Sequence, residues 1–202
     1  MLSFASRVVA AGVAATSFAC STDAGVVFGS LQSSINIPAT STGLYLNVQT
    51  GQASFSESAV PGWDINISGA NGLNFISPGG YNFVRLSSAP VTAGPSALSA
   101  GFVIGPQLSN AQWITGGAAP GFSLLSNDNV VGFRFAGSDG QTRYGWVRIG
   151  IGLSLTGTDR RIVEYAFEST PGAPIVAVPA PGALALLAVS GASVLGRRRR
   201  AA

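Results

Sequence analysis

The central part of this 202-residue sequence predicts an all-β domain, an antiparallel β-sandwich of jelly-roll type. Three observations lead there. Between Gly25 and Val178 no long stretch places apolar residues at helical spacing. Period-two alternation recurs instead in short runs, and Gly, Pro, Asn and Ser punctuate those runs every eight to twelve residues or so. About ten strands in roughly 150 residues fit two packed antiparallel sheets.

In chain order, residues 1–24 read as a signal helix. Arg7 supplies a short basic region, an apolar run extends from Val8 to Ala19, and Ala24 is a plausible cleavage point. The run is too short to span a bilayer, which needs about 20 residues. A lipoprotein leader is the alternative, with Cys20 acylated; Ser17 then stands where a bulky aliphatic residue is normally required.

Residues 25–176 form the β domain. Leu44, Leu46 and Val48 share one strand face, as do Trp63, Ile65 and Ile67, then Val131, Phe133 and Phe135, then Val163, Tyr165 and Phe167. Asp64, Asn66, Arg134 and Glu164 take the opposing positions, so one face is expected dry and the other wet. Ser138-Asp139-Gly140 predicts a hairpin turn that uses glycine for a positive φ. Tyr144 to Ile149 is apolar on both sides, with Tyr144 and Trp146 on one and Val147 and Ile149 on the other, and is expected at the centre of a sheet. Gly145 leaves room there for a neighbouring aromatic ring, and Arg148 is expected to reach the rim or pair with a carboxylate. Residues 89–121, rich in Gly, Ala, Pro and Ser, are compatible with loops, short edge strands or a helical turn.

Residues 177–202 form a tripartite tail. Val178-Pro179-Ala180-Pro181-Gly182 leads into a hydrophobic helix over Ala183 to Gly196, which Arg197, Arg198, Arg199 and Arg200 close as a positive-inside anchor. So short and Ala-rich a segment suits a transient stop during export; an ordinary membrane anchor is the other reading.

This tail resembles the PEP-CTERM sorting signal of exported bacterial proteins, with Ala180 in place of the central Glu. The resemblance implies Sec-type export machinery and an exosortase-like membrane protease as partners. It also implies transient anchoring in the inner membrane, followed by residence at the envelope surface or outside the cell, with exopolysaccharide as a further partner. The segments Gly43 to Val48, Val60 to Asn66, Val131 to Phe135 and Tyr144 to Val147 look like those of an uncharacterised group of exported proteins that often carry such tails, a group that brings no site residues to carry over.

Charge and residue usage narrow the function further. The net charge of +3 sits at the termini: residues 25–178 carry six arginines against seven carboxylates, a balance of −1 that offers no footprint for nucleic acid. There is no His or Lys, and Cys20 is the only cysteine, so the domain lacks Cys or His catalysis, disulfides and structural zinc. Asp64 with Asn66, Asn127-Asp128-Asn129, and Asp139 are the only clusters of hard oxygen ligands and read as turn and cap residues; neither metal nor cofactor is expected. Glu164 and Glu168 lie roughly 13 Å apart along a strand, too far for a glycosidase pair, and no catalytic activity is expected. Of the three tryptophans, Trp63 is expected in the core, and Trp113 is the best candidate for stacking on a sugar ring. The expected function is that of a non-catalytic surface or extracellular-matrix protein, with a carbohydrate-binding module as the alternative.

Overall fold

The computed structural model describes residues 25–29, 34–79 and 82–177. The signal segment, the hydrophobic helix expected over Ala183 to Gly196, and the sorting residues Pro179, Ala180, Pro181, Arg197, Arg198, Arg199 and Arg200 lie outside the described residues. No helix among the described residues is long and apolar enough to cross a membrane.

Fourteen strands follow in order: β1 (Val26–Gly29), β2 (Ile35–Asn36), β3 (Leu44–Leu46), β4 (Ala53–Ser54), β5 (Ile65–Ser68), β6 (Asn74–Ile76), β7 (Phe83–Leu86), β8 (Val103–Ile104), β9 (Ala111–Ile114), β10 (Gly116–Ala118), β11 (Ser126–Ala136), β12 (Thr142–Ile151), β13 (Arg160–Glu168) and β14 (Ile175–Val176). A single 3-10 turn, Glu57–Ala59, is the only helical element among the described residues. The fold is all-β and its pairings are antiparallel. A seven-stranded sheet runs β1-β13-β12-β11-β7-β9, with β2 also on β13; a five-stranded sheet runs β10-β6-β5-β3-β4; β14 and β8 form a two-stranded ribbon.

The two larger sheets share one core. Leu44, Leu46, Ile65, Ile67 and Phe75 from the smaller sheet cluster with Val131, Phe133, Phe135, Val147, Ile149 and Tyr165 from the larger one. Each large side chain removed from water in this way contributes about 1.5–3 kcal/mol. Edge-on contacts between Phe75 and Phe83 (5.6 Å) and between Phe135 and Phe167 (5.5 Å) order the aromatic part of it.

The hairpin forms as its turn residues require. Phe135 pairs with Arg143 and Ala136 with Thr142, while Gly140 takes φ 75° at the turn. Asp139 accepts from the Gln141 backbone N–H and grips Arg143 with both carboxylate oxygens at 2.6 and 2.9 Å. Strand β12 lies in the middle of its sheet, between β11 and β13. The stretch from 89 to 121 holds the short strands β8, β9 and β10, of which β9 and β10 are sheet edges.

Three expectations are corrected. The larger sheet is covered on both faces over its central strands: beneath the β8–β14 ribbon, Val84, Val130, Tyr144, Trp146 and Ala166 pack with Ile104, Ile175 and Ala177 in a second core. Val163 does not join Tyr165 and Phe167. Arg148 pairs with Glu164 but Ile149 with Ile162, so Val163 is the extra residue of a β-bulge and Ile162 takes its place in the core. Trp63 precedes β5 and is half-buried, outside the core that Ile65 and Ile67 enter. At the far end, Ala177 is buried and its backbone is bonded to Gly101 and Phe102, so the packed region includes it.

Candidate functional site

A shallow, open cleft lies beside the smaller sheet, where the chain leaves β4, makes the 3-10 turn and returns through Pro61-Gly62 to β5. Its volume is ≈ 660 Å³ and Ser56, Glu57, Ser58, Pro61 and Trp63 are among its lining residues. A positive φ of 65° at Gly62 turns the chain back, and the side chain of Val60 is fully buried as the anchor of the loop. Asn47 braces the return: its Nδ2 donates to the carbonyls of Pro61 (3.1 Å) and Gly62 (2.8 Å), and its Oδ1 accepts from Thr50 N–H. Gln52 Nε2 donates to the Ala59 carbonyl at 2.7 Å and holds the 3-10 turn against the β4 side.

Within that frame the Trp63 indole is fixed at two points. Nε1 donates to Glu57 Oε1 at 3.0 Å, and the ring meets Tyr45 edge-on at 5.1 Å and 77°. Leu44 and Leu46 point into the core, so the intervening Tyr45 lies on the outer face of the sheet and Trp63 with it. Next in sequence, Asp64 turns inward at the end of the sheets. Its Oδ2 accepts from the Val48 backbone N–H at 2.8 Å, and burial pushes its pKa up to about 6 against the opposing pull of that bond.

The other candidates from the sequence are dispersed. Trp113 lies in the short edge strand β9, is half-buried, and packs its ring against Arg134 (4.8 Å) and Tyr144 (5.7 Å). Its Nε1 is buried without a hydrogen-bond partner, as is that of the fully buried Trp146. Asn66 donates to the Thr42 carbonyl, and the Asn129 side chain accepts from the Ser123 N–H and donates to the carbonyls of Ser123 and Ile149. Arg148 is fully buried, binds Glu164 Oε1 at 2.7 Å and also Asp128, and lies over the Trp146 ring at 5.3 Å. Glu168 accepts from the Thr170 N–H and Asp159 pairs with Arg161. Arg143 holds the Asp139 carboxyl well below the usual carboxylate range by direct hydrogen bonds, helped by the Gln141 N–H. No group of three or more potential metal ligands occurs among the described residues.

No family model, curated protein or solved structure matches the chain.

Two arrangements escaped the sequence reading. The Glu57–Trp63 pair needs the Val60-Pro61-Gly62 turn to fold back six residues; the Pro-Gly dipeptide was the available signal. Arg160 is fully buried and its guanidinium collects backbone carbonyls from three segments: Pro38 (3.0 Å), Gly69 (2.9 Å) with Gly72 (3.3 Å), and Leu155 (2.7 Å). Desolvation lowers its pKa, yet arginine remains charged well above any physiological pH. Nothing in an isolated Arg160-Arg161 pair signals that role.

Proposed function

We propose that this chain is an exported, tail-sorted protein of the bacterial cell surface or extracellular matrix that works without catalysis, on a domain whose two sheets form a jelly-roll-like sandwich. One observation carries the non-catalytic part. Each of the seven carboxylates between residues 25 and 177 has a partner: Glu57 the Trp63 indole, Asp64 and Glu168 backbone N–H groups, and Asp128, Asp139, Asp159 and Glu164 arginines. Without His, Lys or a domain cysteine, acid–base and nucleophilic chemistry would fall to these same groups, and their bonds favour structural work. The sandwich reading is supported by the core that both sheets share. The export reading is supported by the signal-like segment at one end and the Pro motif, apolar run and arginine cluster at the other.

Cell fractionation with mass spectrometry of the recovered protein tests the proposal. The expected product begins near Gly25, lacks the residues after the Pro179-Ala180-Pro181 motif, and is found in the envelope or the medium. Replacing Arg197, Arg198, Arg199 and Arg200 with alanine is expected to leave the tail unprocessed. Recovery of the intact chain from the cytosol, untrimmed at both ends, overturns the proposal.

A further inference from the structure

We propose that the cleft beside Trp63 binds a neutral hexopyranose unit of a polysaccharide chain, with the indole as the stacking platform and Glu57 as the acceptor for sugar hydroxyls. The inference rests on the preceding reading only for where such a polymer would be met; binding is a property of the cleft.

The volume of ≈ 660 Å³ lies within the range of about 300–1,000 Å³ usual for small-ligand sites. Its chemistry is mixed in the way a sugar requires. A pyranose offers a C–H face that packs on an aromatic plane and a rim of hydroxyls that needs donors and acceptors. Trp63 supplies the plane; the exposed side chains of Glu57, Ser56 and Ser58 supply the rim. Ser56 and Ser58 hydroxyls already meet at 3.1 Å, so a sugar hydroxyl joining them extends an existing network. No arginine is among the lining residues and the one charge is a carboxylate, which selects against uronates and other anionic sugars.

The ring is also pre-positioned. The Nε1–Glu57 bond, the Tyr45 edge contact and the bonds from Asn47 and Gln52 fix the indole and its loop before any ligand arrives, so little ordering cost falls on binding. Trp113 has no such setting: Arg134 and Tyr144 pack against its ring within the larger sheet. The stacking residue is therefore Trp63 and not Trp113.

Affinity electrophoresis of the full-length protein in a polyoxyethylene detergent, which carries no sugar headgroup, tests this. The gels contain dextran, mixed-linkage β-glucan or galactomannan, with polygalacturonate as the anionic comparison. Retardation by at least one neutral polymer is expected, with weaker or no retardation by polygalacturonate. Trp63→Ala is expected to weaken binding about tenfold or more, and Glu57→Ala, at an exposed position, by several-fold in a protein that still unfolds cooperatively; Trp113→Phe should bind as the parent does. Should Trp63→Ala fail to fold, Glu57→Ala decides alone. Three results overturn the inference: no retardation by any neutral polymer, equal or stronger retardation by polygalacturonate, or neutral binding that survives Trp63→Ala in a folded variant or, where that variant does not fold, Glu57→Ala. All are read on purified protein, so they stand apart from the outcome of cell fractionation.

Discussion

Gly145 lies directly across the β11–β12 ladder from Phe133, and a Cβ at residue 145 would sit 2.5 Å from Phe133 Cζ and 2.6 Å from the Ala166 carbonyl oxygen. The absent side chain is what allows the Phe133 ring to lie over the central strand. Gly145→Ala therefore forces both a core ring and a backbone carbonyl to move. A loss of about 1–3 kcal/mol is expected, read as a lower urea midpoint with an unchanged slope. A midpoint within error of the parent would refute the close packing.

The buried arginine of strand β12 gives an ordered comparison. Arg148 holds Glu164, whose side chain is 21% exposed, and Asp128, whose side chain is 56% exposed. The better-shielded partner contributes more, because solvent screens the other. Glu164→Ala is expected to cost about 1.5–3 kcal/mol and Asp128→Ala less, within the range of charge-assisted hydrogen bonds. Equal losses would contradict the ranking.

Arg160 ties together loops that are far apart in sequence. Arg160→Met removes every donor from the carbonyls of Pro38, Gly69, Gly72 and Leu155 and is expected to cost on the order of 3 kcal/mol, since each buried carbonyl left without a partner is penalised. Arg160→Lys, with one ammonium in place of a planar fork, should recover only part of that. Hydrogen exchange should accelerate around residues 38–40, 69–72 and 155–160 in both variants; acceleration confined to β13 would argue against the tie.

Asp64 makes stability depend on pH with a definite sign. Its carboxyl has a folded pKa of about 6 against 3.8 for an unperturbed aspartate, so between those values the native state binds the extra proton. The stabilisation is complete below about pH 3.8 and is lost as pH rises through 6. Asp64→Asn keeps an oxygen to accept from the Val48 N–H and cannot ionise. The stability difference, variant minus parent, should therefore grow from pH 4 to pH 7 and then level off. Asp139, held low by Arg143, acts in the opposite sense at more acid pH, and the difference between the two proteins cancels it. A pH-independent difference would show that Asp64 is not strained by its burial.

Sequence alone determined what depends on near neighbours and on alternation. The Ser138-Asp139-Gly140 turn, the central place of β12 and the ring space at Gly145 were legible because a two-residue period and a turn residue specify them locally; for Arg148 the structure chose the carboxylate pairing over the rim. Tertiary structure alone decided the rest. The bulge at Val163 depends on the register β13 adopts against β12; the second covered face depends on a ribbon whose strands are about seventy residues apart; and Arg160 finds a carbonyl 122 residues away. The outward position of Trp63 belongs with these. Alternation says which residues share a face only inside a strand, and the chain enters β5 two residues after Trp63, where the loop braced by Asn47 and Glu57 sets the ring's direction instead.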